Sequence, residues 1–184
     1  MNALISLHNS VLSRLERADW IIPTLARFLF AAVLLFYFWN SGLTKLGDGF
    51  LGLFQPSTGA YVQIFPRVFE AAGYDTSQLS LFHWAVALGG TWAEFILPLM
   101  IVLGLLSRLA AVGMIGFIVL QSLTDIVGHH ADASTIGAWF DRIENSAIMD
   151  QRALWVFLMA VIVVKGAGPL SLDRLLSKRS ASKV

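Results

Sequence analysis

Four long apolar runs are the feature of this sequence that most constrains its fold. A helix needs about 20 apolar residues to cross ~30 Å of hydrocarbon at ~1.5 Å per residue. Runs of this kind cover residues 21–43, 81–105 and 109–127, and a fourth, shorter run at 153–168 carries no charge before Lys165, whose side chain can reach the membrane surface. The composition agrees, because 57% of the residues are hydrophobic, 14% are charged and the mean hydropathy is +0.70, which is too apolar for an ordinary soluble domain. We therefore expect an all-α membrane protein in contact with the lipid bilayer, in which residues 1–184 form a single domain, a bundle of four transmembrane helices.

The N-terminal stretch predicts a further helix outside the bundle. Apolar side chains recur there at three- and four-residue spacing, at Leu4, Leu7, Val11 and Leu15. This spacing places them on one face of a helix. A helix with one apolar face lies along the membrane surface. We therefore expect an N-terminal amphipathic interfacial helix before the first span.

Four spans place both ends of the chain on the same side of the membrane. Lys and Arg residues near the span ends are divided unevenly between the two sides. Seven lie on the side of the termini, namely Arg14, Arg17, Arg108, Arg174, Lys178, Arg179 and Lys183, and four lie on the other, namely Lys45, Arg67, Arg142 and Arg152. Because the cytoplasmic side usually carries the excess of these residues, we expect cytoplasmic N- and C-termini and loops 44–80 and 128–152 on the outer side. The basic C-terminal tail suits an anionic lipid surface, and no nucleic-acid partner is expected.

Glu94 lies in the middle of the second apolar run. A charge at the bilayer centre costs about 2.5–3.5 kcal/mol on insertion scales, so such a residue pairs with a cation, stays protonated or faces water inside the bundle. Arg27 in the first run is the candidate partner, because its long side chain could close the gap that the helical rise predicts. An Arg27–Glu94 pair would hold two helices together. Alternatively, Glu94 handles a proton or a quinone, or contacts a substrate.

Further polar side chains gather near the outer ends of the spans. The third run carries Gln121, Asp125 and His129 at successive four-residue steps, which places them on one helical stripe. His130 follows directly, and His83 opens the second run on the same side. Histidine with carboxylate can bind a metal, relay protons or hydrogen-bond a quinone carbonyl. The same residues also fit a solvated turn that ends a helix, so the sequence assigns no metal to this outer rim.

The sequence excludes several kinds of chemistry. It has no cysteine, which rules out disulfides, thiolate metal sites and thiol redox cycling within this chain. A redox role therefore needs a partner or a bound cofactor. The sequence shows no nucleotide-binding glycine loop, no Ser-His-Asp arrangement and no haem-attachment motif. The chain thus carries no self-contained catalytic motif, and whether it forms part of an enzyme stays open.

Three stretches carry a family resemblance. They are "RFLFAAVLLFYFWNSGLTKLG" at 27–47, "WAEFILPLMIVLGLLSRLAAVGMIGFIVLQ" at 92–121 and "GAGPLSLDRLL" at 166–176. Together they resemble the recurring blocks of the DoxX-like family of small integral membrane proteins. Carried over by position, the resemblance singles out Arg27, Gly42, Lys45, Glu94, Gly104, Arg108, Gly168, Pro169 and Asp173.

The resemblance implies a multi-pass protein of a bacterial-type inner membrane that serves redox systems, such as a thiosulfate:quinone oxidoreductase or a terminal quinol oxidase. On that basis we expect an accessory or quinone-facing subunit of a membrane redox complex. Quinone is the candidate cofactor, and other membrane subunits or further copies of the chain are the expected partners. Two alternatives stay open: a non-enzymatic structural subunit that docks to a larger membrane complex, and a membrane protein that handles a small molecule or a metal.

Overall fold

The computed structural model describes residues 2–181, apart from the side chains of residues 2–4, 11, 14–17, 180 and 181. Within this range the chain is helical, and no strand forms beyond an isolated antiparallel bridge between Leu46 and Pro56. Four of the described helices are long and apolar enough to cross a membrane, and we call them the first to fourth spans: Ile21–Leu43, Leu81–Leu103, Ser107–Gly128 and Ala147–Lys165. The predicted all-α class with four spans is confirmed.

The turn between the second and third spans lies two residues earlier than the sequence predicted. The second span ends at Leu103 and not at 105, because Gly104 takes a left-handed conformation, with φ 68°, that closes the helix. The third span begins at Ser107 and not at 109, and the Ser107 backbone N–H donates to the carboxylate of Asp173. Residues 104–106 alone join these two antiparallel spans.

The fourth span begins earlier and ends earlier than the predicted range of 153–168. Its first turns are a π-helix over Ala147–Arg152, in which the Ser146 hydroxyl accepts a hydrogen bond from the Asp150 backbone N–H. The helix ends at Lys165, where Gly166 takes a φ of 80°. The apolar pattern missed the start because charged residues interrupt it, and the structure neutralises one of them by pairing Arg152 with Asp125 at 2.6 Å.

The four spans pack in chain order around the bundle, so that each contacts two neighbours. Contacts join the first span to the second, the second to the third, the third to the fourth and the fourth to the first. The centre is an apolar cluster whose fully buried side chains include Phe30, Phe38, Ile101, Met114, Met159 and Ile162. Large apolar side chains such as Leu109, Leu154 and Phe157 point outward and are more than half exposed. A bundle with an apolar interior and an apolar exterior is suited to lipid.

The first span is displaced along its axis relative to the second. We call the end of the bundle that carries the chain termini the terminal end, and the opposite end the loop end. Near the terminal end, the Arg27 side chain reaches the carbonyls of the last turn of the second span. Near its other end, Trp39 Nε1 donates to the Phe95 carbonyl, about 21 Å from the start of the second span by the helical rise. The first span therefore ends beside the middle of the second.

Residues 44–72, which we call the outer segment, fold back along the second span where the first span has ended. The segment contains the short helices Thr58–Ile64 and Pro66–Ala71. Trp92 Nε1 donates to the Leu53 carbonyl at 2.9 Å, and Trp92 lies about 16 Å from the loop end of the second span. A second apolar cluster fixes the short helices against this span, with Ala60, Tyr61, Phe69 and Ala87 at its centre. The outer segment is therefore part of the bundle wall.

Among the described residues, three α-helices and the 3-10 helix Thr76–Gln78 lie outside the spans and the outer segment. The N-terminal helix covers Asn2–Arg17, a short helix covers Ala133–Ile136, and a C-terminal helix covers Leu172–Ala181. Of the predicted apolar face of the first of these, Leu7 is exposed, and the side chains of Leu4, Val11 and Leu15 lie outside the described part of the chain. The position of this helix at the membrane surface stays a prediction.

Candidate functional site

A cavity of about 650 Å³ lies between the spans on the side of the loop end. Its walls come from the second and third spans, the last turn of the first span and the helix Thr58–Ile64. Its apolar lining includes Val86, Gly89, Leu97, Gly116, Phe117 and Leu120. Its polar lining includes Ser41, Lys45, Glu94, Gln121, Asp125 and His129. An apolar wall with a few converging polar groups is the usual composition of a small-molecule site.

Lys45 and Glu94 form a buried ion pair in the cavity wall. The Lys45 Nζ lies 3.0 Å from each carboxylate oxygen of Glu94, and the two side chains are only 6% and 4% exposed. The Ser41 hydroxyl donates to Glu94 Oε1 at 3.0 Å and accepts from Lys45 Nζ at 2.6 Å. Ser41 and Lys45 share a helical face because they are four residues apart. The three side chains form one compact polar cluster at mid-bundle.

Glu94 thus pairs with Lys45 and not with the predicted partner, Arg27. The prediction placed both residues by counting from the terminal side of each span, which assumes that the two spans start at the same level. That assumption is wrong, because the axial displacement of the first span brings the residues after Leu43 level with Glu94. Lysine at the end of an apolar run would ordinarily be taken for a side chain that reaches toward the membrane surface. Here it turns inward instead.

Arg27 belongs to a separate polar cluster at the terminal end. Its guanidinium is buried and donates four hydrogen bonds to backbone carbonyls, those of Ile101, Val102, Ala167 and Leu170. The first two belong to the last turn of the second span, where carbonyls lack partners within the helix. A positive charge there also interacts favourably with the helix dipole. Arg27 therefore ties the second span to the connection that follows the fourth.

Most of the other positions singled out by the family resemblance also lie at the terminal end, where the spans and their connections contact one another. A Cβ on Gly104 would lie 2.5 Å from Ser171 Cβ, and one on Gly168 would lie 2.8 Å from Thr24 Oγ1. Arg108 Nη2 donates to the Val164 carbonyl at 3.3 Å. Pro169 lies in the turn that follows the fourth span. Gly42 lies elsewhere, where the first span meets the second, and its Cβ would lie 2.7 Å from the Phe95 ring.

Asp173 closes the junction at the terminal end. Its carboxylate accepts hydrogen bonds from the backbone N–H groups of Leu106 and Ser107 and from the Ser107 hydroxyl, at 2.7 to 2.9 Å. It thus caps the start of the third span from a helix that is distant in sequence. Burial acts to raise the pKa of the Asp173 carboxyl, but the hydrogen bonds from Ser107 and Leu106, together with the charge of Arg27, outweigh burial and hold the pKa below its ordinary value.

Three of the five predicted rim residues line the cavity. Gln121 Nε2 donates to the Tyr37 hydroxyl at 3.0 Å, while Gln121 Oε1 is buried and has no hydrogen-bond partner in the described part of the chain. Asp125 is held by its ion pair with Arg152. His129 Nε2 lies 3.0 Å from the carbonyl of Gln63, which can only accept. The polar stripe that the sequence predicted at the end of the third span therefore faces the cavity.

The other two rim histidines point elsewhere. His83 caps the second span, because its Nδ1 accepts from the Ser80 backbone N–H at 3.2 Å, and its ring packs edge-on against Phe65. His130 Nε2 accepts from Arg67 Nη2 at 2.8 Å. Among the described residues, no group of three or more His, Cys, Asp or Glu side chains is arranged to hold a metal ion. The predicted rim is therefore not one site.

Several residues of the site carry no signal in the sequence. Ser41, Gln63 and the glycines of the second and third spans line the cavity, but no motif marks them. A Cβ on Gly89 would meet nothing within 4 Å, so close packing of another helix does not account for this glycine. One usable signal was the pair Ser41 and Lys45 on one helical face, since a buried acid needs a cation within reach.

Comparison with known proteins identifies a family for this chain. The family model for DoxX matches residues 22–130. That range runs from the first span to the end of the third, and it contains the Lys45–Glu94 pair and the cavity lining. Comparisons with curated proteins and with solved structures found no match to the chain. Because the family model covers more than half of the chain, this multi-pass membrane protein belongs to the DoxX family.

Proposed function

We propose that this DoxX protein is an accessory, quinone-facing subunit of a membrane redox complex, and that its cavity binds the quinone ring. The observation that carries the proposal is an intramembrane cavity that joins an apolar wall to the buried Lys45–Glu94 pair. Its volume of about 650 Å³ falls within the ~300–1,000 Å³ of typical small-molecule sites. A lipid-soluble molecule with a polar ring matches both parts of this lining.

The cavity contains hydrogen-bonding groups that suit both the oxidised and the reduced form of a quinone ring. A quinone carbonyl accepts hydrogen bonds, whereas the hydroxyl of the reduced form also donates them. Gln121 Oε1 is a buried acceptor without a partner in the described part of the chain, so a hydroxyl group would satisfy it. Lys45 and Ser41 supply donors, and an ammonium group stabilises negative charge that develops on an adjacent oxygen. The two states of the ring therefore each find complementary groups.

The proposed role is accessory because the chain offers no thiol of its own to exchange electrons. It contains no cysteine, so electrons that reach or leave a bound quinone pass through a partner or another bound group. The outward apolar faces of the four spans are available for packing against other membrane subunits or further copies of the chain. The proposed function is thus to hold the quinone beside a redox partner.

The test is to purify the protein gently with its native lipids, extract it and identify the bound quinones by mass spectrometry. We expect quinone in the wild-type protein and a loss of about tenfold or more in Glu94→Leu/Lys45→Met, in which both charges are removed together. Arg108→Gln serves as the matched control, because it removes a cation outside the cavity. Wild-type protein that retains no quinone, even after quinone is added, would refute the proposal.

The same preparation separates the two alternatives. A structural subunit would co-purify with other membrane proteins, carry no quinone, and tolerate every cavity substitution without loss of activity in the complex. A metal-handling protein would retain metal by elemental analysis after loading, and His129→Ala/His130→Ala would lose it. Each outcome would replace the quinone proposal with a different one.

We also propose an inner-membrane location with both termini in the cytoplasm. Two of the four cations counted on the outer side, Lys45 and Arg152, are buried in ion pairs. Their removal from the count strengthens the excess of Lys and Arg on the terminal side. Because the chain has no cysteine, Ser177→Cys and Ser134→Cys each give one thiol for labelling in intact cells. We expect a membrane-impermeant reagent to label Ser134→Cys and to spare Ser177→Cys, and the reverse pattern would invert the topology.

A further inference from the structure

We infer that the cavity exchanges its occupant directly with the bilayer, through a mouth between the second and third spans, and that the occupant is a ring with a single long apolar tail that leaves through this mouth. This inference rests on the proposed quinone function and specifies the class of quinone that the site takes.

The exposure of the lining residues locates the mouth. Lys45 and Glu94 are buried at one side of the cavity. The lining residues of the second and third spans that are exposed are apolar or glycine: Val86, Gly89, Gly113, Gly116 and Leu120. Leu120 is 65% exposed and Val86 is 37% exposed. The cavity therefore opens between these two spans through an apolar border, while its charges stay inside.

The mouth lies at the level of the hydrocarbon and not at the water surface. Gly89 is about 12 Å from the loop end of the second span, and Gly116 is about 14 Å from the start of the third, by the helical rise. Both positions are well inside spans that cross about 30 Å of hydrocarbon. A molecule that enters between them comes from the lipid.

Two glycines keep the mouth open. A Cβ added to Gly89 or to Gly116 would meet nothing within 4 Å, so neither glycine is needed for close helix packing. Gly113 differs, since its Cβ would lie 3.1 Å from Leu97. Glycine weakens a helix relative to almost every other residue. At positions 89 and 116, however, the absence of a side chain leaves room beside the cavity.

The border of the cavity at the loop end is polar and not apolar. His129, directly after the third span, lies 3.0 Å from the Gln63 carbonyl of the helix Thr58–Ile64, and both residues line the cavity and are exposed. One residue earlier, Gly128 packs so closely on Pro66 that a Cβ would lie 2.8 Å from the proline ring. The outer segment thus contacts the third span at a polar border of the cavity, whereas the border between the second and third spans is apolar.

The test compares two ligands in lipid nanodiscs: a tail-less benzoquinone and the same ring with a long alkyl tail. Gly89→Leu and Gly116→Leu place a leucine side chain in the mouth, and Ala85→Leu places the same side chain at an exposed position of the second span outside the cavity. The ratio of each variant's Kd to that of the wild type, measured for the same ligand, cancels the partitioning of that ligand into lipid.

We expect the mouth variants to weaken binding of the tailed ligand about tenfold or more, and to change the Kd of the tail-less ring by less than about twofold. Ala85→Leu should change neither value. Unchanged binding of the tailed ligand in both mouth variants would overturn the inference, as would an equal loss for both ligands. A wild-type protein that binds neither ligand would instead refute the proposed function itself.

Discussion

The ammonium group of Lys45, just beyond the end of the first span, lies 3.0 Å from both carboxylate oxygens of Glu94 in the middle of the second. The chain reaches this arrangement because the first span is displaced toward the terminal end, so that its last turn meets the centre of its neighbour. The outer segment then folds over the pair and completes the cavity wall. One displacement thus accounts for the ion pair, the cavity and the folded-back segment together.

Removing one charge of this pair should destabilise the fold more than removing both. Lys45→Met or Glu94→Leu alone leaves an uncompensated buried charge, which costs about 3–5 kcal/mol. The double variant replaces both charges with apolar side chains and should recover much of that loss. Equilibrium unfolding in mixed micelles, analysed as a double-mutant cycle, measures the coupling. Single losses that simply add in the double variant would show that the two residues act independently.

Arg27→Lys should destabilise the protein although the charge is kept. The guanidinium donates to four carbonyls, whereas an ammonium has three donors in a different geometry. Each buried carbonyl left without a partner costs about 1–3 kcal/mol. Arg108→Lys is the matched control, because Arg108 is exposed and has one carbonyl contact at 3.3 Å. The free energy of unfolding should fall clearly in the first variant and little in the second, and equal losses would contradict the role assigned to Arg27.

Alanine should be tolerated at one glycine of the bundle and not at another. A Cβ on Gly42 would lie 2.7 Å from two atoms of the Phe95 ring, while one on Gly116 would meet nothing within 4 Å. Gly42→Ala should therefore cost about 1–3 kcal/mol through overpacking. Gly116→Ala should be neutral or stabilising, because alanine favours the helix by about 1 kcal/mol. The two thermal midpoints in detergent give the comparison, and a stable Gly42→Ala protein would show that the Phe95 ring can move.

Asp173 should make stability depend on acid pH. Its folded-state pKa is lowered by the hydrogen bonds and the charge that outweigh burial, so its contribution is present above the ordinary pKa of about 3.9 and is lost as the pH falls through the folded-state value. Asp173→Asn should cost about 0.5–2 kcal/mol at neutral pH, the range for loss of a helix cap. The difference in unfolding free energy between wild type and variant should shrink below about pH 4. A constant difference across that range would indicate that the carboxylate charge contributes nothing.

The number of spans and the chemistry of their faces could be predicted because both are local properties. Three of the four apolar runs reach membrane length without help from the rest of the chain, while the fourth run, 153–168, is short, and the stripe Gln121, Asp125 and His129 follows from helical periodicity alone. The start of the fourth span escaped prediction because Arg152 is tolerated near the membrane only when Asp125, which is distant in sequence, neutralises it.

The sequence by itself determined that this chain has four runs suited to crossing the membrane and that Glu94 must be paired, protonated or hydrated inside the bundle, because hydrophobic length and the cost of an intramembrane charge act on each span separately. Only the tertiary structure decided which cation pairs with Glu94, which rim residues share the cavity and where Gly89 and Gly116 lie relative to it. Those outcomes depend on how far each helix slides along its neighbour. That displacement is set by packing among distant residues, and no single stretch of sequence encodes it.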